Sequence, residues 1–228
     1  MAQPRVTVTT QAGVSVLGVD DGKVNAVNHD LLDELEPALE QAQAQSRAIV
    51  LAGRPGVFSG GFDLGVVGPG GPRAEALVER GGRLVARLYS SPVPVVAACT
   101  GHAVALGAVL LMAADLRVGA AGEASIGLNE VAIGIGVPAS LVALARERLA
   151  SRYVTEAVLL ARLWTPEQAV EVGFLDEVVP AEKVTQRALA HARDLAGRLQ
   201  PDAYQATARA LRSATAGQLA SLAFPRPQ

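Results

Sequence analysis

The chain has 228 residues, half of them hydrophobic and 18% charged, enough apolar material for a substantial core in one large or two small domains. Its formal charge of −2 gives no basic footprint for neutralising phosphates, so nucleic acid is excluded as an expected partner. Cys99 is the only cysteine, which excludes an intrachain disulfide and every multi-cysteine metal site.

The first residues, MAQPRVTVTT, carry neither the apolar core of a signal peptide nor an Arg-rich amphipathic helix, and cytoplasmic residence is the expectation. RVTVTT and VSVLGVD, separated by Gln11 to Gly13, predict a β-hairpin over residues 5–20. The segment HDLLDELEPALEQAQAQ follows. It places Leu31, Leu32, Leu35, Ala38, Leu39 and Ala42 on one helical face, with Asn28 as N-cap. AIVLA, Ala48 to Ala52, reads as a short buried strand. The twenty residues GRPGVFSGGFDLGVVGPGGP then contain eight glycines, which implies backbone that turns sharply or approaches something closely. Residues 73–89 read as a helix.

Residues 92–115, PVPVVAACTGHAVALGAVLLMAAD, contain no acidic residue, Lys or Arg until Asp115. Length alone would permit a membrane span. Pro92 and Pro94, the interruption at Thr100, Gly101 and His102, and the lack of flanking basic clusters argue against one. The run reads instead as a buried strand over 93–98, a tight turn at Thr100 and Gly101, and a helix from about Leu106 to Ala114 that is apolar all round. Asp115–Val118 and Ala124–Ile126 are two further short strands. GLNEVAIGIGVP is a loop, and PASLVALARERLA a helix. Beyond Ser151 the pattern is helical throughout. Its sharpest boundary is at Thr165, Pro166 and Gln168, which supply an N-cap, a first-turn proline and a capping-box partner, with Gly173 as the stop. The expected architecture is an α/β core over residues 1–150 and a helical C-terminal region over 151–228.

Several motifs carry no chemistry. Gly134-Ile135-Gly136-Val137-Pro138-Ala139 fits the dinucleotide fingerprint formally but lacks the surrounding βαβ context. His29, His102 and His191 share no ligand spacing, so no metal site is expected, and His102 reads as a hydrogen-bonded core histidine. Glu130 stands apart. Ile126, Gly127, Leu128, Val131, Ala132 and Ile133 surround it, a setting that desolvates a carboxylate and raises its pKa toward the range of a general base.

Three stretches together resemble the crotonase superfamily, the enoyl-CoA hydratases and isomerases, over residues 14 to 200. Phe58-Ser59-Gly60-Gly61-Phe62-Asp63-Leu64 resembles the family's F-x-A-G-x-D-L oxyanion loop. Thr100-Gly101-His102-Ala103-Val104-Ala105-Leu106-Gly107 resembles its second loop and helix start, and the loop bearing Glu130 completes the set. The resemblance implies a ββα-superhelix core and an acyl-CoA thioester as substrate, with coenzyme A as part of that substrate rather than a separate cofactor. It also implies homotrimers or pairs of trimers. It assigns oxyanion donors to the N–H groups of Phe62 and Leu106, and acid/base work to Glu130. Substrate contacts fall to Lys23, Val24 and Ala26 and to the loop and helix residues Gly60, Gly61, Asp63, Leu64, Gly107 and Val109. Asp21-Gly22 stands where the family frequently has an R-P pair. SLAFPRPQ stands where a segment resembling E-G-x-x-A-F-x-x-K-R is common, which implies a reduced or rearranged helical cover and subunit contact.

Hydratases of this family use two glutamates, one on the buried helix and one on the later loop. Here the loop position is Glu130 and the helix position is Val109, whose side chain cannot hold or deprotonate water. Ile126-Gly127-Leu128-Asn129-Glu130 and residues 165–184 resemble the mitochondrial-type Δ3-Δ2-enoyl-CoA isomerases instead. The resemblance therefore implies isomerisation of a 3-enoyl-CoA to a 2-enoyl-CoA. Hydration or another acyl-CoA reaction is the alternative within the fold, and acyl-CoA binding without catalysis is the alternative of another class.

Overall fold

The computed structural model describes residues 4–221. Of the departure from the family pattern at SLAFPRPQ, all but Ser221 lies outside the described residues.

The chain opens with the expected hairpin, β1 (Val6–Gln11) and β2 (Val14–Val19), paired antiparallel. α1 (His29–Gln45) follows, and the Asn28 side chain accepts a hydrogen bond from the Leu31 N–H at 3.0 Å, the cap anticipated from sequence. β3 (Ala48–Ala52) then begins a repeating pattern. β3 is followed by β4 (Gly56–Ser59), a one-turn α2 (Leu64–Val67) and α3 (Pro72–Tyr89). β5 (Val95–Cys99) is followed by β6 (Gly101–Val104) and α4 (Leu106–Ala113). β7 (Leu116–Ala120) is followed by β8 (Ile126–Gly127) and α5 (Ala139–Arg148). In each turn the first strand joins a six-stranded sheet of order β1-β2-β3-β5-β7-β9, and the second joins a three-stranded sheet of order β4-β6-β8. Every pairing except β1 with β2 is parallel. The result is the ββα superhelix that the resemblance implied.

Strands buried on both faces explain the uncharged runs. Ile49, Leu51, Val95, Ala97 and Cys99 point to the larger core beneath α1, α3 and α4, while Ala48, Val50, Ala52, Val96 and Ala98 point to the opposite face. With no polar side to either strand, alternation disappears from the sequence. That opposite face is covered by α7 (Val184–Arg198), through Val184, Ala188, Ala192, Leu195 and Ala196 on one stripe. β9 (Glu177–Val179), also beyond residue 150, pairs with β7 and completes the large sheet. The C-terminal region is thus not helical alone, and its elements finish the core built by the first half.

Two local expectations are corrected. Thr100 is a single-residue pivot rather than a turn with Gly101, because Gly101 already begins β6. A Cβ on Gly101 would lie 2.0 Å from the Gly56 carbonyl, so glycine is demanded by a neighbouring strand and not by a bend. The segment after Ser151 forms a 3₁₀ turn (Ser151–Tyr153) and a π-helical turn (Thr155–Leu159) instead of an α-helix. α6 (Pro166–Val172), by contrast, has the full reciprocal capping box at Thr165 and Gln168 and ends at Gly173 with φ of 101°.

α8 (Pro201–Ala220) lies along α3 and is tied to the core by Asp115. The Asp115 carboxylate accepts hydrogen bonds from the Val95 N–H at 2.7 Å, from the Tyr204 hydroxyl at 3.0 Å and from Arg212 Nη2 at 2.6 Å. Arg212 also donates to the Tyr89 carbonyl, and the Tyr89 hydroxyl and the Thr215 hydroxyl both reach Glu147. Because Arg212 is only 7% exposed, removing its partner strands a charge in the interior. We expect Asp115→Asn to cost about 3–5 kcal/mol in urea unfolding, and the added change Arg212→Met to recover part of that loss.

Candidate active site

β4, β6 and β8 run parallel and in contact, with Ser59 opposite Ala103 and Val104 opposite Gly127. Their carboxyl ends therefore lie at one edge of the small sheet, where open parallel sheets collect ligands. The segments leaving that edge are Gly60-Gly61-Phe62, Ala105-Leu106 and Leu128-Asn129-Glu130. Residues scattered over 70 positions of sequence are equivalent stations on three successive turns.

The first segment is held by the loop after β2. Gly61 O accepts from the Val27 N–H at 2.7 Å, and the Asp63 N–H donates to Val27 O at 3.0 Å, so Val27 and Phe62 form a parallel bridge. Successive N–H groups of an extended strand point to opposite edges. Those of Val27 and Asp63 are used in the bridge, while the Phe62 N–H points away from it with no partner among the described residues.

The second segment supplies another N–H without a partner among the described residues. Leu106 is the first residue of α4, so its amide has no carbonyl to meet within the helix. Ala105, just before it, holds φ of 52° and ψ of −124°, a conformation that costs a non-glycine residue about 1–3 kcal/mol. It is over-determined by the Ala105 N–H donating to Gly127 O at 3.0 Å and Ala105 O accepting from the Val109 N–H at 3.1 Å. Two glycines let the turns stack. A Cβ on Gly61, which has φ of +89°, would lie 2.9 Å from Ala105 Cβ and 3.2 Å from Leu106 N. One on Gly107 would lie 2.2 Å from Ser59 O. The amides of Phe62 and Leu106 are thereby brought onto neighbouring backbone, with the positive end of α4 between them.

The third segment carries the carboxylate. Glu130 begins a 3₁₀ turn over Val131–Ile133, its carbonyl accepts from the Ile135 N–H at 2.9 Å, and its Oε2 is buried without a partner among the described residues. Burial holds the Glu130 carboxyl above its ordinary value of 4.5, and the backbone amides of Glu130 and Asn129 pull it down only in part. Among the described residues no cluster of His, Cys, Asp and Glu could hold a metal ion.

The remaining residues singled out by sequence divide. Lys23 and Val24 are exposed and Ala26 is half-buried on the loop that borders the first segment, where Val24 O accepts from the Gly60 N–H at 2.8 Å. Asp63 caps α2 by accepting from the Gly65 N–H at 2.9 Å, and Leu64 stands 63% exposed beside it. Val109 is wholly buried one turn into α4 and offers only an aliphatic wall. His102 is corrected from a core residue to an exposed one, its Nδ1 accepting from the Ser125 N–H. Cys99 is buried, donates to Gly101 O, and has its thiol pushed up to about 12 by burial, which makes it inert.

The resemblance placed Asn25 within the CoA-contact segment Lys23-Val24-Asn25-Ala26 and noted Asp21 only as a departure, whereas both residues build the Lys23 loop and Asn25 is wholly buried. The Asp21 carboxylate accepts from the N–H groups of Lys23, Asn25 and Ala26. Asn25, wholly buried at φ of 50°, donates from Nδ2 to Val19 O and Phe58 O. A buried amide and an acid four residues apart, D-G-K-V-N, was the available signal.

The chain matches the family model for enoyl-CoA hydratase/isomerase over residues 9–223. It is 34% identical over 214 residues to the human mitochondrial enoyl-CoA delta isomerase 1, which spans 91% of this chain and 70% of that protein. The crystal structure of human mitochondrial delta3-delta2-enoyl-CoA isomerase matches with a TM-score of 0.90 at 32% identity, covering 96% of this chain and 87% of the other. That of a probable enoyl-CoA hydratase from Mycobacterium tuberculosis matches with a TM-score of 0.91 at 38% identity, covering 96% and 93%.

A carboxyl whose folded pKa is raised stabilises the fold below its ordinary value, and that contribution is lost as pH rises through the folded value. We therefore expect Glu130→Gln to unfold at a higher temperature than the parent at neutral pH. The difference should shrink toward zero below the ordinary value of 4.5, as read from thermal melts across the acid-to-neutral range.

Proposed function

Because this chain belongs to the enoyl-CoA hydratase/isomerase family, we propose that it isomerises a 3-enoyl-CoA to the conjugated 2-enoyl-CoA by proton transfer through a single carboxylate. The thioester acidifies C2 of the substrate. Glu130 removes the C2 proton, negative charge moves onto the thioester oxygen, and the N–H groups of Phe62 and Leu106 hold the resulting dienolate. The same carboxyl then returns the proton at C4, leaving the double bond between C2 and C3. No water is consumed and no metal takes part.

The observation that carries this reading is the pairing of Glu130 with Val109: one buried, unpartnered carboxylate oxygen and, where a hydratase would have its second, a fully buried isopropyl group. Hydration needs a water that is oriented and deprotonated, and an aliphatic side chain does neither. Isomerisation needs only one group that alternates between base and acid, with its pKa raised toward the working pH by burial. Two preorganised amide donors, each worth about 3–4 kcal/mol where charge develops on oxygen, supply the remaining stabilisation. In this reading Lys23 and Val24, both exposed, are assigned to the CoA moiety by the family resemblance. Assembly into homotrimers or pairs of trimers belongs to the same proposal and draws its support from the family resemblance. Hydration of a 2-enoyl-CoA is the second reading, and the mycobacterial protein is itself described both as a probable hydratase and as an isomerase.

Parallel assays on a 3-enoyl-CoA and a 2-enoyl-CoA decide between them. Isomerisation should dominate, and Glu130→Gln should lower it by roughly 10²–10⁴-fold. Equal activity in the variant, or water addition as the faster reaction of the parent, would overturn the proposal. As Glu130 must be ionised to accept the C2 proton, kcat/KM should rise with pH along a limb centred above the ordinary carboxylate value.

A further inference from the structure

Gly81 lies buried in the middle of α3, away from the three segments that form the site. A Cβ built on it would lie 2.4 Å from Phe62 Cζ and 2.6 Å from Phe62 Cε1, and 3.5 Å from Leu106 Cδ2. The side chains of the two residues whose amides are free thus converge on this one glycine. Contacts of 2.4 and 2.6 Å are too close for any carbon, so the Phe62 ring occupies the volume that a side chain at residue 81 would take.

With Phe62 only partly buried, it is the ring and not the backbone that gives way. The Phe62 backbone is fixed on one edge by the bridge to Val27, through Gly61 O and the Asp63 N–H, so its Cα cannot retreat. α3 closes the space behind it. A ring displaced from Gly81 must swing about its side-chain torsions away from α3, over the segment that presents the two N–H groups. We propose that Gly81 keeps the slot for the acyl thioester open by seating the Phe62 ring against α3, and so determines which acyl groups reach the two amides. The inference rests on the acyl-CoA reading above and adds to it a residue that limits substrate shape without touching the reacting atoms.

The test is a mutant cycle of Gly81→Ala, Phe62→Leu and the double variant, read as equilibrium affinity for hexanoyl-CoA with free CoA as control. Leucine keeps the residue 62 N–H and removes the ring that collides. Gly81→Ala should weaken hexanoyl-CoA binding roughly tenfold, with free CoA unchanged, and the double variant should recover most of that loss. Parent-like affinity in Gly81→Ala, or a loss that Phe62→Leu does not repair, would overturn the proposal. If Gly81→Ala does not fold, Phe62→Leu alone decides. An emptied seat over Gly81 should raise affinity for the branched isovaleryl-CoA relative to hexanoyl-CoA, and an unchanged ratio would count against the proposal. Affinity is measured without turnover, so absence of isomerase activity in the parent overturns the reaction proposed above while the cycle still judges Gly81.

Discussion

The site depends on backbone approaching backbone at distances that no side chain would permit. Gly107 sits against the Ser59 carbonyl, Gly61 against Ala105 and Leu106, and Gly101 against Gly56, so two consecutive turns of the superhelix stack with their peptide groups almost touching. Two unsatisfied amides follow from that stacking, one left over by the Val27–Phe62 bridge and one by the first residue of α4. Neither is made by a functional side chain. In the proposed reaction the polar chemistry is therefore mostly backbone, with Glu130 as the carboxylate that moves the proton.

The same constraint explains which parts were legible in the sequence. Caps and helical stripes were, because their signals are local: Asn28 before α1, the capping box of α6, the apolar face of α1. Glu130 was legible from its apolar surroundings in sequence, of which Ile126, Gly127 and Leu128 are buried while Val131, Ala132 and Ile133 are exposed. The strand β6 was not. Its residues GHAV pair with β4 and β8 far away in sequence, and Gly101 looks locally like a turn residue when it is a packing residue. Ala105 gave no warning either. Alanine ordinarily favours helix, and only tertiary hydrogen bonds on both sides hold it at positive φ. Gly81 was hidden for a third reason: a glycine in a helix reads as a loss of about 1 kcal/mol relative to alanine, and the ring that fills its place comes from a different turn.

Rigidity for this arrangement comes from the far side of the core. Asp115 closes the uncharged run and immediately gathers β5, through the Val95 N–H, and α8, through Tyr204 and Arg212. Burial, followed by the Asp115 carboxylate, pushes the Tyr204 hydroxyl well above its ordinary range, so it remains a donor. α4 lies between this network and the small sheet, with every residue from Leu106 to Ala113 buried. The helix whose first amide is free is thus clamped along its whole length and has no slack to reorient that amide.

The superhelical turn also has a consequence for how such a chain can change in length. Phe62 and Leu106 are separated by 44 positions, Leu106 and Glu130 by 24, yet each stands two or three residues past the end of its strand in the small sheet. The surplus of the longer turn is carried by α2, the Gly68–Gly71 connection and α3, all of which lie outside the strands. Insertions and deletions in that part of a turn alter what surrounds the site and leave its stations in register. One added residue within β4, β6 or β8 would instead reverse the edge to which an amide points.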